Sequence, residues 1–152
     1  EISWIDWSLL KKNKELFEFF KFMIAYRKKH PVIRKKLDNA VCGMEGMHAH
    51  DVNADRMEVS QNAKTLAVSF AGYDRKKCKD DLVYVAVNAY WEEVRITLPN
   101  LANHGAWYLS VDTYGDENGK YCYEEGEEIR IDHEYVMKPR SIVVFTGRQV
   151  LR

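Results

Sequence analysis

An all-β chain, an antiparallel β-sandwich behind a single amphipathic α-helix, is what three features of the sequence predict. Apolar residues between 13 and 29 recur every three to four positions and stop at Pro31. Beyond that proline the spacing changes to two, and turn-forming residues recur at short intervals to the end. The first pattern belongs to a helix that buries one face, the second to strands with one side in a core, and the third to many short antiparallel strands.

The helix is read first. Leu16, Phe17, Phe19, Phe20, Met23, Ile24 and Tyr26 form a broad apolar stripe, with Lys11, Lys12, Lys14, Glu18, Lys21 and Lys28 mostly off it. Asn13 is the expected N-cap and Glu15 lies in the first turn, while Arg27, Lys28, Lys29 and His30 sit near the last carbonyls, where positive charge complements the helix dipole. Pro31 cannot continue the helix. The centre of the stripe is placed at Phe17, Phe20, Met23 and Ile24.

The strands follow by alternation. Leu66, Val68 and Phe70 form one set, Val94, Ile96 and Leu98 a second, Trp107, Leu109 and Val111 a third, and Ile129 and Ile131 flank Arg130. Two runs, 82–89 and 142–145, are nearly all apolar, as central strands covered on both faces should be. Turns are expected at Gly72-Tyr73-Asp74, Pro99-Asn100, 103–105, 116–119, Gly126 and Lys138-Pro139-Arg140. Residues 38–55 show no clear period and are read as loop with one short strand at most. The count comes to seven or eight strands, and the composition break at Pro31 divides the chain into 1–31 and 32–152.

Composition excludes several functions. The 152 residues are 46% hydrophobic and 30% charged, enough for a core. Lys plus Arg and Asp plus Glu both number 23, so no basic field recommends nucleic acid as a partner. Helix-dipole compensation and solvation explain the basic run 27–30 and its continuation at 34–36, and the acidic run Glu124, Glu125, Glu127 and Glu128 reads as a solvated turn and strand edge. No apolar run approaches the roughly 20 residues that span a bilayer. Cys42, Cys78 and Cys122 are widely spaced and odd in number, which fits a reducing compartment better than a disulfide framework. The chain opens on Glu1 rather than methionine and carries no signal-peptide pattern, so we expect a fragment of a cytoplasmic protein.

Three blocks together resemble the C-terminal part of isoamylase-type debranching enzymes of the alpha-amylase superfamily, glycoside hydrolase family thirteen. The first is Glu1-Ile2-Ser3-Trp4-Ile5-Asp6-Trp7 with 16–20 and 24–31. The second is 82–93, ending Asn88-Ala89-Tyr90-Trp91-Glu92-Glu93 and running on to Leu98-Pro99. The third is 107–113 with 139–145. The resemblance implies that 1–31 is the tail of a catalytic TIM barrel, namely the loop after strand eight and helix eight. It makes 32–152 a β-sandwich of the alpha-amylase C-terminal domain type. It further implies retaining hydrolysis of alpha-1,6 branch linkages in glycogen or starch-like glucans, by a carboxylate pair roughly 5 to 5.5 Å apart. In that family the carboxylates lie on barrel strands that would precede Glu1, so no residue here is carried over as catalytic, and no cofactor is implied.

The remaining candidates are weighed on their own chemistry. Asp6, Glu1 and Asp112 are the tempting carboxylates, but no second pattern holds any two of them face to face. His48-Ala49-His50 has the spacing that points two imidazoles to one side of a strand, yet a zinc site needs a third ligand and none is marked, so no metal is expected. Tyr90 and Trp91 are the substrate-binding candidates, as a stacking platform for glucose rings near a hairpin tip. The expected partners are the barrel of the same polypeptide and, through it, an alpha-glucan. A lone amphipathic helix also needs cover, and two copies of the chain pairing through it as a homodimer are expected in preference to its folding back on the sandwich. A carbohydrate-binding module and an immunoglobulin-like interaction domain remain open alternatives, because sandwiches host all these roles.

Overall fold

The computed structural model describes residues 4–54, 63–102 and 105–149. A short helix α1 (Leu9–Lys12) precedes α2 (Lys14–Lys29), which a 3-10 turn (Pro31–Ile33) ends. Among the described residues eight strands follow: β1 (Met47–His50), β2 (Thr65–Asp74), β3 (Lys79–Asn88), β4 (Val94–Thr97), β5 (Ala106–Asp112), β6 (Ile129–Ile131), β7 (Glu134–Met137) and β8 (Ile142–Arg148). Asn13 is a joint between the two helices and not a side-chain cap. Its N–H donates to the Leu9 carbonyl at 2.9 Å, its carbonyl accepts from Phe17 at 3.0 Å, and its side chain makes no capping bond.

The strands form an unequal antiparallel sandwich. One sheet has six strands in the order β1-β2-β3-β8-β5-β6, and the other is the pair β4-β7. The two apolar runs are the two central strands, β3 and β8, paired from Leu82↔Gly147 to Val87↔Ile142. Their side chains alternate between two separate cores. Leu82, Tyr84, Ala86, Val143 and Phe145 join Trp107, Leu109, Ile96, Leu98 and Met137 between the sheets. Val83, Val144 and Val111 face the other way, against Tyr26 and Val32, with Phe19, Phe22, Met23 and Leu37 packed around them. A bulge between Leu109 and Val111 lets β5 serve both cores.

Helix α2 therefore folds back on its own six-stranded sheet. Its anchor is partly polar. Tyr26 and Thr146 share a hydrogen bond of 2.8 Å, and Thr146 shares another of 2.8 Å with Ser110. Just beyond the helix, His30 Nδ1 donates to Asp81 Oδ1 at 2.6 Å, while Asp81 Oδ2 accepts from the Val32 N–H at 3.1 Å. At the helix end, Lys29 reaches Glu125 at 2.8 Å.

Three local expectations change. Gly72 is not in a turn but within β2, and the reversal falls at 75–78, where Cys78 takes φ 52°. Gly72 is needed for close approach, since a Cβ there would lie 2.6 Å from the Leu37 side chain. The acidic run is not merely solvated: the Glu128 side chain is buried and paired with Arg148, and Glu127 meets Lys120 at 2.9 Å. Strand β7 was not foreseen, because only Tyr135, Val136 and Met137 mark it and they do not alternate; pairing with β4, from Val94↔Met137 to Thr97↔Glu134, is what makes it a strand.

Candidate functional site

The loop carrying Tyr90 and Trp91 begins where β3 ends, at Asn88. An asparagine closing an apolar strand is suited to this place, because its amide can satisfy a loop backbone that has left the sheet. Asn88 is buried, and its Nδ2 donates to the carbonyls of Glu92 at 2.9 Å and Lys138 at 3.0 Å. Its Oδ1 accepts from the Tyr90 N–H at 2.9 Å. The Arg140 N–H donates to the Tyr90 carbonyl at 2.9 Å and the Asn88 N–H to that of Ser141 at 2.8 Å. Lys138 meets Glu93 at 2.5 Å. One buried amide thus ties the β3–β4 loop to the β7–β8 turn.

On this loop the two rings lie 4.3 Å apart between centroids, at 38°. They are not equivalent. The Lys64 ammonium stands 3.6 Å from the centre of the Tyr90 ring, in cation–π range. With an ammonium and an indole both against it, Tyr90 has little open face. Trp91 is 66% exposed. The expected two-ring platform is therefore one exposed indole backed by a tyrosine. Lys64 and Asn88 escaped the sequence reading, and only the asparagine left a signal there.

The other candidates serve local structure. Glu1 lies outside the described residues. Asp6 is exposed and accepts from the Ser8 N–H and hydroxyl at 2.9 and 2.6 Å; these bonds hold its carboxyl below the usual carboxylate range. Asp112 is buried, accepting from the Tyr135 hydroxyl at 2.7 Å and the Tyr114 N–H at 2.9 Å. His48 and His50 do share a face of β1, their rings 4.9 Å apart. Both nitrogens of His50 are engaged, Nδ1 with the Ala54 carbonyl at 2.9 Å and Nε2 with the Ser69 hydroxyl at 2.8 Å, so its lone pair is committed. No group of three or more His, Cys, Asp or Glu that could hold a metal occurs among the described residues. The cysteines are unpaired, and burial pushes the Cys122 thiol up to about 11.

Helix α2 has a second apolar face. Phe19, Phe22, Met23 and Tyr26 meet the sheet, whereas Leu16, Phe17, Phe20 and Ile24 are exposed, as are Trp4, Ile5, Trp7, Leu9 and Leu10 before them. Met23 thus belongs to the docked face and not, as the sequence suggested, beside Phe17, Phe20 and Ile24. A cleft of about 620 Å³ runs between α2 and residues 120–124, with Phe19, Phe22 and Cys122 in its wall. No helix among the described residues is long and apolar enough to cross a membrane.

Six strands on two, with a helix across the larger sheet and a further apolar face left open on that helix, define an antiparallel β-sandwich domain with a docked helix. The model of the isoamylase C-terminal domain family matches residues 35–146, and the chain belongs to that domain family. Among solved structures, it is similar in fold to pullulanase type I from Bacillus subtilis, crystallised with maltose. The TM-score is 0.59 at 19% identity, over 93% of this chain and 17% of that one. No curated protein matches the chain.

Proposed function

We propose that this chain is the C-terminal structural domain of a larger debranching enzyme that hydrolyses alpha-1,6 linkages in glycogen or starch-like glucans by a retaining mechanism. Its catalytic carboxylates would lie in a barrel outside the chain. The observation that carries this reading is the double-sided helix. One face of α2 is fixed to the sandwich by apolar contacts and by the Tyr26 and His30 bonds, and the other presents Leu16, Phe17, Phe20 and Ile24 to solvent. Burying one such side chain stabilises by about 1.5 to 3 kcal/mol, so four of them suit a permanent partner better than water. A helix shared in this way ties the sandwich rigidly to the body it leaves. Residues 1–31 then belong to the barrel and 32–152 to the sandwich, although the two parts pack as neighbours. The free thiols support a reducing, cytoplasmic setting.

The test compares two polypeptides for reducing ends released from pullulan. The chain of 152 residues should release none, and a polypeptide carrying it behind its barrel should be active. In the latter, Phe20→Asp with Ile24→Asp should lower the thermal midpoint of the barrel. Hydrolysis by the chain alone, lost on mutating one of its carboxylates, would overturn the reading, and so would a barrel indifferent to the double substitution.

A further inference from the structure

We propose that Trp91 is a surface binding site for an alpha-glucan chain, holding polymer outside the active centre; this rests on the reading of the parent as an alpha-glucan enzyme. Solitary exposed aromatics are ordinary, and exposure alone would mean nothing. Trp91 differs from Trp4 and Trp7 in how it is held. Its loop is closed from beneath by three hydrogen bonds of the buried Asn88 amide and from the side by the Arg140 N–H. Its ring rests on Tyr90, and Tyr90 is in turn held by Lys64. A ring immobilised before binding costs little further entropy when a ligand lands on it.

The chemistry of the surroundings selects a neutral, hydroxylated ligand. A pyranose offers a flat C–H face to the open side of an indole and hydroxyl groups at its rim. Glu92 and Glu93 follow Trp91 on its loop, Lys138 and Arg140 lie on the turn bonded to that loop, and Glu93 and Lys138 neutralise one another. Neither a polyanion nor a purely apolar surface matches that mixture. The site is also remote from the helix anchor. Asn88 lies seven positions along β3 from Asp81, which holds His30, about 23 Å along a strand. A body docked on α2 has no need of Trp91.

The experiment is affinity electrophoresis of the full chain in native gels containing glycogen, with xylan gels as a control. Quenching of tryptophan emission by maltoheptaose is read in parallel. Glycogen should retard the chain and xylan should not. Trp91→Ala should raise the apparent Kd about tenfold and Trp91→Phe about threefold, with thermal midpoints unchanged because the ring is exposed. Tyr90→Ala should weaken binding less than Trp91→Ala, since it loosens the indole without removing it. Native-like retardation of Trp91→Ala, no retardation of the unmutated chain, or equal retardation in xylan would each overturn the proposal. So would an indole shielded from acrylamide in the longer enzyme without glucan, because another part of that enzyme would then cover it. None of these outcomes touches the parent's hydrolysis of pullulan, which tests the other reading separately.

Discussion

The two faces of the six-stranded sheet are closed by different physics. Toward β4 and β7 the contact is nearly all apolar, with Tyr84, Trp107, Phe145, Leu82, Ile96 and Met137 fully buried. Toward α2 the apolar patch is smaller and carries two polar fixtures, the Tyr26–Thr146–Ser110 chain and the His30–Asp81–Val32 cluster. Apolar burial is strong but non-directional, whereas hydrogen bonds are weaker in net terms and fix position. The sandwich face supplies stability. The helix face supplies orientation, which is what a helix with a second apolar side must have if that side is to meet a partner in register.

Four substitutions break or sharpen this contrast. Phe145→Ala, at the centre of the sandwich core, should cost about 3 to 5 kcal/mol in urea unfolding. A loss below about 1 kcal/mol would mean that this core is not the main source of stability. On the other face, Asp81→Ala strands the His30 ring and the Val32 N–H. It should cost about 1.5 to 3 kcal/mol, with heightened amide exchange in α2 while β4 and β7 stay protected. Exchange rising equally on both faces would erase the distinction.

Tyr26→Phe removes one hydroxyl from the chain and leaves Thr146 bonded to Ser110, so about 1 kcal/mol should be lost. Burial also pushes the Tyr26 hydroxyl up from its ordinary 10.0, and the Tyr84 hydroxyl, buried without a partner among the described residues, moves the same way. Because the folded values lie above the unfolded ones, the stability they confer is complete below about pH 10 and declines as pH rises beyond it. The unfolded chain then releases protons that the folded one retains. Unfolding midpoints measured across this range should fall, and fall less steeply for Tyr26→Phe. The smallest effect on stability belongs to Phe20→Glu on the open helix face, within about 0.5 kcal/mol. Its signature is assembly: the isolated chain should self-associate with rising concentration in sedimentation, and this variant should stay monomeric. A native chain that remains monomeric throughout would remove pairing through this face.

Legibility differed from element to element for physical reasons. The alternation of Leu66, Val68 and Phe70, and the continuous runs in β3 and β8, follow from burial on one or both faces of a pleated strand, and they located those elements correctly. The continuous runs even announced that something covered the far face, but they could not name α2 as the cover. Gly72 looked like a turn because glycine serves both turns and close approaches, and only the Leu37 side chain above it separates the two. Tyr90 and Trp91 were found together as aromatics. Their inequality depends on Lys64, which lies 26 residues away in sequence and reaches Tyr90 through the pairing of β2 with β3.

By itself the sequence determined that this is a β-sandwich behind one helix, where most of its strands fall, and which family it belongs to. These depend on local periodicity and on the order of short blocks, and both are written linearly. Tertiary structure alone decided that α2 turns Phe19, Phe22, Met23 and Tyr26 to the sheet and leaves Leu16, Phe17, Phe20 and Ile24 outside, that His30 meets Asp81, and that Asn88 holds the loop of Trp91. A helix apolar around much of its circumference can dock on any of several faces. The choice is made by polar atoms distant in sequence, which must find one another once they are taken out of water.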